Sequence, residues 1–150
     1  MRISLRATYG IIAAVDLALH DDGDIPVQAR TIARRRGIPA RFLEQVLHAM
    51  KKAGLVISHR GAQGGYVLNR HPDQLSLVDI IEALEGPVMA SNGRSGKGAT
   101  GNVPTPDALL AHVWDRIKQA EFNILSEITI EQLAGRQREL EQQRSLMYHI

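Results

Sequence analysis

The sequence predicts a mainly α chain with one small β hairpin, and three observations predict it. First, Phe42, Leu43, Val46, Leu47 and Met50 recur at helical spacing, with Arg41, Glu44, Gln45, His48, Lys51 and Lys52 on the opposite face. Second, Gly54 sits where a left-handed cap ends that helix. Two short extended runs follow, residues 55–59 and 66–68, around the tip Arg60-Gly61-Ala62-Gln63-Gly64-Gly65. Third, a short helical stretch precedes, broken at Gly37 by a turn read as four residues. Two helices, a tight turn and a basic glycine-rich hairpin make a winged helix-turn-helix. A long apolar helix after residue 106 completes the expected architecture as a C-terminal dimerisation helix.

The elements follow in order. Residues 4–20 carry Ala7, Ile11, Ala14, Val15 and Ala18 as an amphipathic stripe, widened by Ile12 and Leu19 and stopped by Asp21-Asp22-Gly23-Asp24. Arg2 and Arg6 flank its start and either reach a phosphate or form a solvated end. Residues 27–36 form the second helix, with Val27, Thr31 or Ile32, and Ala33 on one side and Arg30 and Arg34, Arg35 and Arg36 on the other. Pro39 suits a first helical turn, where an N–H has no partner anyway. After the wing, Ser76 and Asp79 resemble a capping box, with aspartate in place of the usual glutamate. Leu77, Ile80, Ile81 and Leu84 then give a helix ending at Gly86-Pro87, expected beneath the wing.

Residues 88–106 are rich in Gly, Ser, Asn, Thr and Pro and read as a mobile loop. Within it Gly96-Lys97-Gly98-Ala99-Thr100-Gly101 matches GxGxxG, but no strand precedes it and no helix opens at it, so no dinucleotide site is expected. From Pro106, Leu110, Val113, Trp114, Ile117, Ala120, Ile124 and Leu125 form a wide apolar stripe. Either the same helix of a second chain covers it, or it packs inside its own chain. Thr129 to Leu133 starts another short helix. The polar stretch from Gln137 ends in Leu146, Met147, Tyr148, His149 and Ile150, read as a docking patch or a frayed end. The expected division is 1–87, 88–106 and 107–150.

Charge sharpens this picture. Residues 25–72 hold nine Lys/Arg against the single acid Glu44, a net +8, while the flanking segments 1–24, 73–106 and 107–150 carry −2 each. Such concentration is the electrostatic footprint of a nucleic-acid-binding element, or else a solvated basic face. The chain has no Cys, so disulfides, thiol nucleophiles and thiolate-held metals are excluded. No apolar run approaches the ~20 residues of a membrane span. The first six residues lack the apolar core of a secretory signal, so a cytoplasmic protein is expected. No nucleophile–base pair or paired carboxylates mark an enzyme. The six histidines are scattered; His112 is the one candidate metal ligand, and no metal or cofactor is expected.

In a winged helix-turn-helix, the second helix enters the major groove and the wing lies along the backbone or minor groove. Arg41 and Gln45 are then the base readers, and Glu44 either accepts from cytosine or orients Arg41. His48, Lys51 and Lys52, with His59, suit phosphate. Arg60, Gly61 and Gln63 line the minor groove, and Gln28, Arg30 and Thr31 hold the backbone.

The runs ISLRATYGI, FLEQVLHAMKKAGLV, RGAQGGYVL and DIIEALEGP resemble the Rrf-two family of bacterial winged-helix regulators, closely over 1–87 and more loosely through Trp114 and 128–133. The resemblance implies a homodimeric repressor on a palindromic operator in double-stranded DNA. In its cluster-binding types, three cysteines in the loop corresponding to 88–106 hold an iron–sulfur cluster. This chain has Ala90, Ser91, Ser95 and Ala99 there. It is either a cluster-free member or one whose ligands were lost or replaced. The wing, the DIIEALEGP segment and the ending with Met147, Tyr148 and Ile150 are most similar to the cluster-free type that controls cysteine metabolism. The resemblance to that type implies association with a cysteine-biosynthesis enzyme.

Overall fold

A computed structural model describes residues 2–23, 25–89 and 106–149. Its elements run α1 (Leu5–Leu19), α2 (Ala29–Arg36), α3 (Ala40–Lys52), β1 (Val56–His59), β2 (Gly65–Leu68), a 3-10 turn (Pro72–Gln74), α4 (Leu77–Glu85), α5 (Pro106–Glu127) and α6 (Ile130–Tyr148). Residues 90–105, most of the segment expected to be a mobile loop, lie outside the described residues.

Helix α1 starts at Ser4, whose hydroxyl accepts the Ala7 N–H, a cap worth about 1 kcal/mol. Its buried side chains are mostly alanines, so neighbours approach on several sides: α2, α3, α4, α6 and β2 all pack on it. Gly10 marks the tightest crossing. A Cβ there would run into Leu84 Cδ1 and press on Ile80 Cγ2 of α4.

Helix α2 begins two residues later than expected. Val27 is drawn into the sheet instead: its N–H donates to Tyr66 O at 3.0 Å and its carbonyl accepts from Tyr66 N–H at 2.8 Å. The turn to α3 has three residues, Gly37, Ile38 and Pro39, rather than four. Gly37 takes the left-handed conformation at φ 65°, which side chains other than glycine adopt only at a cost. Gly54 does the same after α3, at φ 76°. There the Leu55 N–H donates back to Met50 O at 3.0 Å, closing the helix end. Strands β1 and β2 pair antiparallel, Val56 opposite Leu68 and His59 opposite Gly65.

The core gathers Ile32, Leu43, Leu47, Met50, Leu75, Ile80, Ile81 and Ile130, all fully buried. Burying each such side chain stabilises by about 1.5–3 kcal/mol. The Ser76–Asp79 capping box forms. Its helix, however, packs on α1, α3 and α5, not beneath the wing. The wing packs on α1 and α3, where the Val27 pairing holds it.

The α5–α6 corner is pinned to the start of α4. Leu77 N–H donates to Ile128 O at 3.0 Å and Ile130 N–H to Leu75 O at 2.8 Å. A second capping box, Thr129 with Gln132, opens α6. The short helix expected here is instead nineteen residues long. Its Gln, Glu and Arg are good helix formers, and side-chain pairs one turn apart brace it: Gln137 Nε2 to Glu141 at 2.9 Å and Arg136 to Glu139 at 3.2 Å. Leu146, Met147 and Tyr148 end it in solvent, within the helix rather than in a frayed tail; Ile150 lies outside the described residues.

Candidate nucleic-acid interface

Helix α3 divides cleanly. Leu43, Val46, Leu47 and Met50 are buried, and Arg41, Glu44, Gln45, His48, Lys51 and Lys52 are all exposed. Spacings of three and four residues stack Arg41, Gln45, His48 and Lys52 along one outward ridge. Phe42 is half-buried, its ring edge-on to Tyr9 of α1 at 5.4 Å. That contact fixes the start of α3, where Arg41 and Gln45 stand.

The wing joins α2 in one unit. Gly65, at φ 147°, lies against the Val27 backbone, where a Cβ would come within 2.5 Å of the Val27 carbonyl. At Gly64 a Cβ would meet His59 O. Both glycines are therefore required by close approach, which turn chemistry alone did not reveal. Gln28 Nε2 donates to Ala62 O at 3.4 Å, linking the start of α2 to the wing tip. Between them lies a cleft of about 310 Å³, whose lining includes Gln28, Arg30, Ser58, His59, Arg60 and Tyr66. Arg60, Gly61 and Gln63 are exposed at the tip, Arg30 is exposed and Thr31 half-buried. Of the residues singled out from the sequence for DNA contact, Arg2 is exposed and lies outside α2, α3 and the wing. It precedes α1, where the Ser4 N–H donates to Glu85 Oε1 at the end of α4.

The arginine run at the end of α2 splits in function. Asp16 of α1 is fully buried. Arg35 donates to it through Nε at 3.2 Å and Nη2 at 2.7 Å, and Arg36 through Nε at 2.7 Å. Two of the nine basic residues counted in the sequence thus serve the fold, locking α1 to α2. Sequence reading missed this pairing because Asp16 lies nineteen residues away on what looked like a plain scaffold helix. The sole signal was a carboxylate between Val15 and Leu17 on an otherwise apolar face.

Helix α5 leaves its apolar stripe outward. Leu110, Val113, Trp114, Ile117 and Ile124 are 42–58% exposed. Among the described residues of α5, Leu125 at its end is buried in the core and Phe122 packs partly against it.

A thiolate-held cluster does not fit the donors present, since the sequence has no Cys. Among the described residues no three His, Cys, Asp or Glu gather as a metal site, and His112 stands exposed on α5. Among the described residues, no helix is long and apolar enough to cross a membrane.

Comparison with known proteins agrees with this architecture. Residues 3–136 match the family model Rrf2, "Iron-dependent Transcriptional regulator". The HTH-type transcriptional regulator CymR of Bacillus subtilis is 33% identical over 90% of this chain and 91% of its own length. IscR of Xenorhabdus nematophila is 32% identical over 94% of this chain and 84% of its own. The solved structure of B. subtilis CymR, "the Global Cysteine Regulator", superposes with a TM-score of 0.74 over 90% of this chain and 97% of that one. T. potens IscR gives 0.73 at 34% identity, over 93% of this chain and 90% of that one. With its exposed basic helix, its wing and a family match running through α1–α5 into α6, the chain belongs to the Rrf2 family of DNA-binding, winged-helix transcriptional regulators.

Proposed function

We propose that the protein is a homodimeric repressor that binds a palindromic operator without an iron–sulfur cluster and acts in the cytoplasm, with no catalytic activity. The observation that carries this reading is the pairing of two outward surfaces: the polar ridge of α3 beside the wing, and the apolar stripe of α5. Two α5 stripes packed together hide apolar surface that one chain leaves wet. They set two α3 helices about one DNA turn apart, ~34 Å. The three parts of the chain then divide the labour: residues 1–87 bind DNA, 107–150 dimerise, and 88–106 correspond to the cluster loop of relatives.

On this reading Arg41 and Gln45 read base edges, and Glu44 either accepts from cytosine or orients Arg41. His48, Lys51, Lys52, Arg30 and Thr31 contact phosphate, and Arg60, Gly61 and Gln63 meet the minor groove. Gln28 braces the wing as well as meeting the backbone, and Arg2 makes an outlying phosphate contact. Gln45→Ala should cost ~1–3 kcal/mol and relax specificity at one base pair. Lys51→Ala should weaken every sequence alike and lower the salt slope by about one. Altered base preference in Lys51→Ala would overturn these roles.

Similarity to CymR, and the lack of Cys, support control of cysteine or sulfur genes and association with a cysteine-biosynthesis enzyme. The test is selection of genomic fragments by the purified protein at near-physiological salt, followed by sequencing. Enrichment of a palindrome beside sulfur-assimilation genes is the expected result. A palindrome beside iron–sulfur assembly genes would replace the regulon with that of a sensor whose ligands were lost. No enrichment would refute autonomous operator binding.

A further inference from the structure

We propose that the cleft between α1 and α6 binds a small carboxylate with a branched apolar body, held at its head by Arg36. The cleft measures about 280 Å³, at the low end of small-molecule sites. Ile11, Ile12 and Val15 wall it from α1, and Leu133 and Leu140 from α6. The three α1 residues are only half-buried and Leu140 is exposed, so this apolar trough opens to solvent.

Arg36 lines the same cleft. Its guanidinium spends Nε on Asp16 Oδ2 at 2.7 Å. Neither Nη carries a hydrogen bond among the described residues, although the side chain is only 20% exposed. A second, more polar cleft of about 320 Å³ meets the first at Arg36 and is lined also by Leu19, His20, Arg35, Arg138 and Glu141. Arg36 therefore stands where apolar walls give way to polar ones, with a planar fork of unused donors. That geometry matches a carboxylate.

The lining of the trough favours an anion: among the described residues Arg36 and Arg136 line it and no carboxylate does. Arg35 and Arg36 share the single carboxylate of Asp16. Around it Arg138 pairs with Glu131 at 3.3 Å and Arg136 with Glu139 at 3.2 Å, while Glu141, in the adjoining cleft, keeps its charge and accepts from the neutral Gln137 at 2.9 Å. Arg35, Arg36, Arg136 and Arg138 thus face four carboxylates, Asp16, Glu131, Glu139 and Glu141, so the region as a whole is neutral and the positive charge is local to the trough. A phosphate ester of a polar molecule would leave those walls unused. An apolar monocarboxylate satisfies both.

Arg36 is the last residue of α2, the first helix of the helix-turn-helix. An occupant would clamp α6 to the end of that helix and thereby act on the DNA-binding unit. This consequence rests on the DNA-binding reading; the binding itself does not.

The test is isothermal titration of the full chain, without DNA, using 4-methylpentanoate as the probe and 4-methylpentan-1-ol as the uncharged control. One saturable site per chain is expected, with the acid at least about tenfold tighter than the alcohol. Because Arg36→Gln exposes buried Asp16 to misfolding, the informative variant is Leu140→Glu, at a half-exposed position. It should weaken the acid at least about tenfold, through lost apolar contact and charge repulsion. No saturable heat, equal affinity for acid and alcohol, or binding unchanged by Leu140→Glu would each overturn the proposal. So would conversion of a dimer to monomers by Leu140→Glu, since a second copy would then fill the cleft. Failure of operator selection with intact probe binding would refute the DNA reading and leave this site standing.

Discussion

Helices α1 and α5 both carry apolar side chains at helical spacing, yet they meet opposite fates. The buried face of α1 is built from alanines and Leu17 and is covered by five other elements, while Ile11, Ile12 and Val15 beside it stay half-buried. The stripe of α5 is built from Leu110, Val113, Trp114 and Ile117, larger and more apolar, and solvent reaches it. Periodicity therefore announces that a helix has a face to bury. Side-chain size and the number of neighbours decide where that burial happens. Small residues let α1 sit at the centre of its own chain, whereas no described residue buries the bulky stripe of α5.

The comparison breaks first at Asp16, the one charged residue in the buried face of α1. Asp16→Ala removes the partner of Arg35 and Arg36 and should cost about 3–5 kcal/mol, read by urea unfolding. A loss below 1 kcal/mol would mean that the two arginines are satisfied by solvent and that α1 and α2 are held by packing alone.

A pair of truncations sharpens it. Leu47 is fully buried in α3, and Leu47→Ala should cost about 2–5 kcal/mol. Leu110, 42% exposed on α5, should behave differently. Leu110→Ala should leave the far-ultraviolet circular dichroism intact and make the melting temperature more dependent on protein concentration. Equal, concentration-independent losses in both variants would erase the distinction between the two helices.

The smallest effect lies in α6. At Gly135 a Cβ meets nothing within 4 Å, so Gly135→Ala should stabilise by about 0.5–1 kcal/mol through helix propensity. Destabilisation instead would place another chain close against that position.

Much of the fold was legible because local chemistry and tertiary packing agree. Gly37 and Gly54 mark real left-handed turns, Ser76 and Asp79 form their box, and the apolar and polar faces of α3 separate as the spacing implied. The misreadings share a cause, since each concerns a contact between residues distant in sequence. Val27 looked like the start of a helix, and only Tyr66, thirty-nine positions later, recruits it to the sheet. The wing position of α4 was inferred from chain order, which does not report packing. The polar composition beyond Gln137 suggested a tail, while the same Gln, Glu and Arg residues are sound helix formers once Thr129 and Gln132 start the helix. The exposure of the polar face of α3 and of the wing tip was legible residue by residue. The division of the arginine run was not, because its partner, Asp16, belongs to another helix.

The most direct measurement is sedimentation velocity on the wild-type chain and Ile117→Glu, each with and without an operator fragment. The wild type is expected at twice the 16.5 kDa of one chain, with two chains on each operator. Ile117→Glu is expected at the mass of one chain, still helical, and without tight operator binding. A wild type at the mass of one chain, or an Ile117→Glu variant that binds the operator as tightly as the wild type does, would contradict the role given to α5.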